Sequence, residues 1–333
     1  MFEFLYTVFQ ATIDAFLTPG IPFSLRLRLL GLQSINLLLY ALKCTHKVAF
    51  RSPPAYRTIY IPTRNRDRPS RCLIYNASRS PSYPTTNDHV ATTLRPLHLT
   101  LHGGAFIGGL PEFNHDLALD IVRETGAVVV SASYRFAPRF PFPAAIDDVD
   151  DIISWLVTNA ENALGADANC LTISGLSAGA NLALAACANV DKPERIKGIV
   201  TFYASIDLWT PPWKKRKVEG MPKRDPMSWM MPLFDAYAQP SRARGEGRED
   251  RRLNPVRMEG ERLPKRMLMV VAGIDIIWDE QMEFYKRVKG DFEELEERNG
   301  EERSIEMMVL EKAFHGSLEC KSFSSCSFGF SIV

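Results

Sequence analysis

Paired cysteines, a strong net charge, a spanning apolar run and internal repeats are all missing from this chain. The six cysteines (Cys44, Cys72, Cys170, Cys187, Cys320, Cys326) form no CxxC pair and have no metal-ligand spacing. That argues against a disulfide framework and a zinc site, and reads as free thiols in a reducing, cytoplasmic compartment. Neither a metal nor a cofactor is expected. The formal net charge is +1, which gives no reason to expect a nucleic-acid partner. Residues 1–50 are apolar, but Pro19-Gly20 interrupts them and Arg26 and Arg28 lie in their second half. A spanning helix needs roughly 20 apolar residues in a row, and Leu30 to Leu42 is too short. No basic stretch precedes the apolar residues, so a secretory signal is not expected. Residues 1–50 read instead as a pair of cap helices, packed on the core or covering a site. Association with a membrane surface is the alternative. Nothing in the sequence indicates an oligomeric state.

What the chain does have is the composition of one large globular unit. It has 333 residues, 46% hydrophobic and 24% charged, enough to bury a sizeable core. Residues 51–95 are rich in Pro, Arg, Ser and Thr. The runs Thr58 to Ile61 and Cys72 to Tyr75 predict edge strands there. From about residue 97 a regular alternation begins. Leu97 to Leu101, Ala127 to Ser133, Asn169 to Ser174, Ile199 to Tyr203, Met267 to Ala272 and Met307 to Leu310 are apolar runs of the buried parallel type. Between them the spacing predicts helices over His115 to Glu124, Ala144 to Asn159, Ala178 to Ala188 and Glu280 to Val288. Such alternation makes the fold α/β, a mostly parallel sheet with helices on both faces. Residues 209–264 break the pattern and are too long for a simple connection. They contain Trp209, Trp213, Trp229 and a charged stretch from Arg242 to Arg252, and read as an inserted lid in a domain of residues 51–333. Residues 290–303 read as a charged, solvated loop or helix end.

The strongest motif is Gly175-Leu176-Ser177-Ala178-Gly179. It follows a predicted strand and opens a predicted helix, the context of a nucleophile elbow. Glycines suit it because the serine sits on a tight, strained turn where larger neighbours would clash. The helix N-terminus adds positive dipole beside the hydroxyl. A serine is a weak nucleophile at neutral pH and needs a base. Where a serine is presented on such an elbow, the chain order is Ser, acid, His. Of the six histidines only His315 follows Ser177. The acid belongs at a strand end between them, and Asp275 lies in the exit loop of the strand Met267 to Ala272. Asp279 and Glu280 compete for that role, but their place at a helix start suggests capping or dipole complementation. The turn His102-Gly103-Gly104-Ala105 follows another strand. Its amides, either Gly103 with Gly104 or Gly104 with Ala105, would join the Ala178 amide as an oxyanion hole. His102 is expected to order that loop by hydrogen bonding.

Together these motifs resemble the hormone-sensitive-lipase-like esterases, a branch of the α/β-hydrolase fold. The resemblance runs from about residue 97 to residue 316. It takes in the His102-Gly103-Gly104 turn, Tyr134 to Ala145, the Ser177 elbow, Asp275 to Glu280 and His315-Gly316. It implies hydrolysis of a small-molecule carboxylic ester of short or medium acyl chain, without metal or cofactor. It also implies a cap built from N-terminal helices and an insertion. The chain is similar as well to fungal esterases of secondary metabolism that act on acetylated intermediates. Three departures stand out. Ala105 replaces the family's third glycine, Leu176 replaces an aspartate in the elbow, and the tail from Cys320 lacks helical periodicity. A non-catalytic small-molecule receptor of the same fold is the first rival, but such receptors lack the triad histidine. A serine hydrolase acting on lactones, thioesters or amides is the second.

Overall fold

The computed structural model describes residues 13, 16–32, 55–65, 68–76, 94–189, 195–222 and 228–319. Eight strands form one sheet: β1 (Arg57–Ile61), β2 (Ser70–Tyr75), β3 (Arg95–Leu101), β4 (Val128–Ala132), β5 (Ala166–Leu176), β6 (Ile196–Phe202), β7 (Arg266–Ile274) and β8 (Ser304–Phe314). Their order across the sheet is β1-β2-β4-β3-β5-β6-β7-β8. β2 runs antiparallel to both neighbours, and every other pairing is parallel. The predicted strands are all present. One expectation is corrected: β2 is an interior strand, buried along its whole length between β1 and β4, and only β1 forms that edge.

Besides the helical residues 23–32, the α-helices among the described residues are α1 (His115–Thr125), α2 (Ala144–Leu164), α3 (Ala178–Ala186), the short α4 (Met231–Phe234) and α5 (Gln239–Ala243), and α6 (Trp278–Asn299). In α2 the buried positions Ala145, Ile146, Val149, Ile152, Ile153, Leu156, Ala160 and Leu164 recur at helical spacing and make one stripe. That stripe, α3 and the α6 residues Phe284, Val288, Phe292 and Leu295 bury Leu97, Leu99, Leu101, Ile173 and Val271 in a common core. α1 covers the opposite face near β2 and β4. α6 decides the reading of residues 290–303 in favour of a helix end. Phe292 and Leu295 continue the apolar stripe of Val288, so residues 290–299 are helix, not loop.

The sheet faces differ in chemistry because side chains alternate along a strand. Leu97, Leu99 and Leu101 point into the apolar core. His98 and Thr100 point the other way, with Thr172 and Ser174 of β5. His98 Nδ1 lies 2.7 Å from Thr172 Oγ1 and its Nε2 lies 2.8 Å from Ser174 Oγ. Burial pushes the His98 pKa down to about 4, and that of the buried His102 equally far. Both rings are neutral in the fold at pH 7, whereas in the unfolded chain they take a proton near pH 6.5. The unfolded state therefore binds protons first as pH falls. Stability is expected to drop between about pH 6.5 and pH 4, by a few kcal/mol per ring. Melting temperature measured across that window checks this, and His98→Gln should flatten the slope.

Chain direction reverses about β3. The chain passes from β3 out to β4, then back to β5 on β3's other side. In an open parallel sheet such a switch point leaves a crevice at the carboxyl ends of the two strands. The turns after β3 and β5 meet there.

Candidate active site

Ser177 stands between β5 and α3 with φ 53° and ψ −113°. Its carbonyl accepts the first helical amides, from Ala180 at 3.0 Å and Asn181 at 3.1 Å, while its own N–H donates to the Phe202 carbonyl at 2.9 Å. The flanking glycines are obligatory. A Cβ on Gly175 would lie 2.2 Å from the Gly179 carbonyl oxygen, and one on Gly179 would lie 2.3 Å from the oxygen of Leu101. The elbow is thus pressed against the end of β3, where the glycine turn begins.

Asp275 leaves β7 just past a register shift between Ala272 and Ile274, and His315 follows directly on β8. The structure brings Ser177, His315 and Asp275 together. Ser177 Oγ is 2.8 Å from His315 Nε2, and His315 Nδ1 is 2.8 Å from Asp275 Oδ2. A proton on Nδ1, donated to the carboxylate, leaves Nε2 unprotonated and ready to accept from the hydroxyl. Asp275 is buried, and its Oδ1 accepts the Ile277 N–H at 3.2 Å. Ser177 is 7% exposed and the His315 side chain 40%, so a molecule from solvent reaches the pair from the imidazole side.

Asp279 and Glu280 do not touch His315 through any hydrogen bond among the described residues, and neither caps the helix they begin. Asp279 pairs with Arg216 on the surface. Glu280 is half-buried beside Lys215, with which it forms an ion pair, and its Oε1 accepts the amides of Ile206 at 2.9 Å and Asp207 at 3.1 Å. Desolvation pushes the Glu280 carboxyl pKa up, and the Lys215 ammonium opposes it. This pair ties the segment after β6 to the first turn of α6, which follows the loop carrying Asp275. The sequence reading missed it, since residues 215 and 280 meet only through the fold.

The turn after β3 doubles back on itself. Gly103 is buried, Gly104 is exposed and Ala105 is half-buried. Among the described residues, the amides of Gly104 and Ala105 donate no main-chain hydrogen bond. Ala105 has φ 52°, a conformation natural to glycine, and its methyl packs against the core. A glycine at this position would adopt that conformation without strain. His102 braces the turn: Nδ1 donates to the Gly103 carbonyl at 2.7 Å and the ring stacks on Tyr134 at 4.6 Å. Leu176 fills an apolar pocket with Phe202, Tyr203, Val270, Ala272 and Ala313, a setting that disfavours a charged carboxylate. The tail from Cys320, with Cys326, lies outside the described residues, as does Cys44. Cys72, Cys170 and Cys187 are free thiols. Among the described residues no group of three or more His, Cys, Asp or Glu is gathered to hold a metal ion.

A family model described as the alpha/beta hydrolase fold matches residues 98–316. The chain belongs to the α/β-hydrolase fold family. Its relatives place it on the hormone-sensitive-lipase-like esterase branch of these hydrolases. It is 41% identical over 85 residues to an ethyl acetate hydrolase of Pseudomonas putida, covering 26% of each chain. It is 27% identical over 260 residues to a probable mitochondrial carboxylesterase 4 of Arabidopsis thaliana, covering 70% of this chain and 67% of that one. A solved esterase of Pyrobaculum calidifontis superposes with a TM-score of 0.61 at 25% identity, covering 80% of this chain and 78% of that chain. Several of the curated relatives are spanned for only 25% to 48% of their length.

The sequence reading also missed Tyr203. It is fully buried, directly after β6, with its ring centroid 5.1 Å from that of His315. Its place at the carboxyl end of the strand beside the one that leads into Ser177 was the one available signal.

Proposed function

We propose that this hydrolase is a serine carboxylesterase that cleaves a small-molecule ester of short acyl chain by two-step acyl transfer. The observation that carries the reading is the continuous hydrogen-bonded line from Ser177 Oγ through His315 to Asp275, at 2.8 Å and 2.8 Å. Ser177 Oγ attacks the ester carbonyl carbon while His315 Nε2 takes its proton. The carbonyl oxygen becomes an oxyanion, held by amides drawn from Gly103, Gly104, Ala105 and Ala178. The intermediate collapses as the C–O bond to the alcohol breaks, and His315 returns the proton to the leaving oxygen. Water, deprotonated by the same nitrogen, then releases the acid and frees Ser177. Asp275 holds the imidazole in the required tautomer and stabilises the imidazolium.

In this reading the helical residues 23–32 and the described parts of residues 209–264 are the cap and lid of the site. Arg28 Nε donates to the Trp229 carbonyl at 2.6 Å, and Tyr237 stacks on Phe106 of the glycine turn at 4.2 Å. These contacts support the division into N-terminal cap helices, lid and hydrolase domain. Residues 1–12, 14, 15 and 33–50 lie outside the described residues. No helix among those described is long and apolar enough to cross a membrane. A short acyl group, acetyl above all, is supported by the named activity of the Pseudomonas putida relative, an ethyl acetate hydrolase. The sequence's likeness to fungal esterases adds acetylated secondary-metabolite intermediates as natural substrates, met in the cytoplasm.

The test is labelling by a fluorophosphonate probe, followed by peptide mass mapping and a p-nitrophenyl ester series. One adduct on Ser177 is expected, with acetyl and butyryl esters cleaved faster than dodecanoyl esters and faster than a matched amide or lactone. A folded protein that takes up no probe would be a receptor, and the proposal would fall.

A further inference from the structure

Among the described residues, four that are not glycine have positive φ: Ala105 at 52°, Phe106 at 62°, Ser177 at 53° and Tyr203 at 38°. For a side chain as bulky as tyrosine that conformation is a true outlier. It persists only where the surroundings over-determine it, and such strain gathers at functional sites. Three of the four already belong to the glycine turn and the nucleophile elbow. Tyr203 shares their strain and has no part in the mechanism derived so far.

Its place in the sheet supplies one. The strands carrying the site run β3, β5, β6, β7, β8 across the sheet. β3 ends in the glycine turn, β5 in Ser177, β7 in Asp275 and β8 in His315. β6 ends in Tyr203, between the nucleophile and the acid. The peptide unit joining Phe202 to Tyr203 links both neighbours. Its carbonyl accepts the Ser177 N–H at 2.9 Å, and its N–H donates to the Val270 carbonyl of β7 at 2.7 Å. The ring then lies against His315 at 5.1 Å with an interplanar angle of 58°.

We propose that Tyr203 is a positioning residue that fixes the tilt of the His315 imidazole over Ser177. This rests on the serine-hydrolase reading. Hydrogen bonds at Nδ1 and Nε2 fix where those two atoms sit and resist out-of-plane rotation of the ring about its Cβ–Cγ bond less firmly. Packing against the ring opposes that rotation. The His315 side chain is 40% exposed, and the fully buried Tyr203 ring lies against it. The aromatic ring, not the hydroxyl, performs this task, so phenylalanine should serve as well.

The experiment compares wild type with Tyr203→Phe, Tyr203→Leu and Tyr203→Ala. It reads kcat and KM on p-nitrophenyl acetate, the rate of fluorophosphonate labelling, and Tm. Tyr203→Phe should stay within about 3-fold of wild type, as the ring contact is kept. Tyr203→Ala should lower kcat about 100-fold, the scale of a small misplacement of a reacting group, with labelling slowed alongside and KM little changed. Tyr203→Leu keeps bulk without a planar ring and should fall between. It also carries the test should the alanine variant not fold. The proposal is overturned if a folded Tyr203→Ala or Tyr203→Leu protein keeps the wild-type kcat and labelling rate. It is equally overturned if the loss lies in KM alone, or if Tyr203→Phe is as impaired as Tyr203→Ala. Failure of the wild type itself to label would refute the hydrolase reading and this proposal together. A labelling wild type beside an equally fast alanine variant refutes this proposal alone.

Discussion

Ser177→Ala is expected to lower kcat on p-nitrophenyl acetate by about 10⁶-fold, the scale seen when the nucleophile of a serine hydrolase is removed. Without Oγ no acyl-enzyme forms, and His315 loses the proton it is placed to take. The oxyanion donors and the binding pocket remain, so a residual rate above the uncatalysed reaction should persist. Folding should survive. The hydroxyl's hydrogen bond is to His315, which is well exposed and can turn to water. Losing one such bond costs about 1 kcal/mol. Alanine also meets the same backbone strain at φ 53° as serine does. Tm should therefore hold within a few degrees while activity disappears. A folded variant retaining wild-type kcat would remove Ser177 from the mechanism.

The elements behind that prediction were legible in the sequence to different degrees. Ser177 could be read because glycines at 175 and 179 are enforced by carbonyl oxygens 2.2–2.3 Å from where a Cβ would be, and such a constraint leaves a motif. His315 could be read because chain order eliminated the other five histidines. Asp275 could be read from a strand end. What escaped depends on contacts between distant segments. β2 looked like an edge because composition alone cannot show that β4 pairs on its far side. α6 was cut short because the charged solvent face of residues 290–299 concealed Phe292 and Leu295 on the buried one. Lys215 and Glu280, 65 residues apart, meet only after β7 forms beside β6. Tyr203 carries a conformational signal that no residue name encodes.

Asp275→Asn should lower kcat by about 10⁴-fold with the fold intact. The reason is donor and acceptor geometry, not lost charge alone. In the native site both carboxylate oxygens accept: Oδ2 from His315 Nδ1 at 2.8 Å, and Oδ1 from the Ile277 amide at 3.2 Å. An asparagine has one acceptor and one NH₂ group. If its NH₂ faces His315, the imidazole must move its proton to Nε2. That nitrogen then meets the Ser177 hydroxyl as a donor and is no longer a base. If its oxygen faces His315, the NH₂ faces the Ile277 N–H, and two donors confront each other where the side chain is fully buried. An unsatisfied buried donor costs about 1–3 kcal/mol, so the first arrangement is favoured and the wrong tautomer results. Two measurements separate this from simple misfolding. Tm should fall only modestly, and the rate should recover in part at high pH, where hydroxide takes over from the missing base. A variant retaining full kcat at neutral pH would exclude Asp275 as the acid and send the search back to the other carboxylates at the carboxyl end of β7.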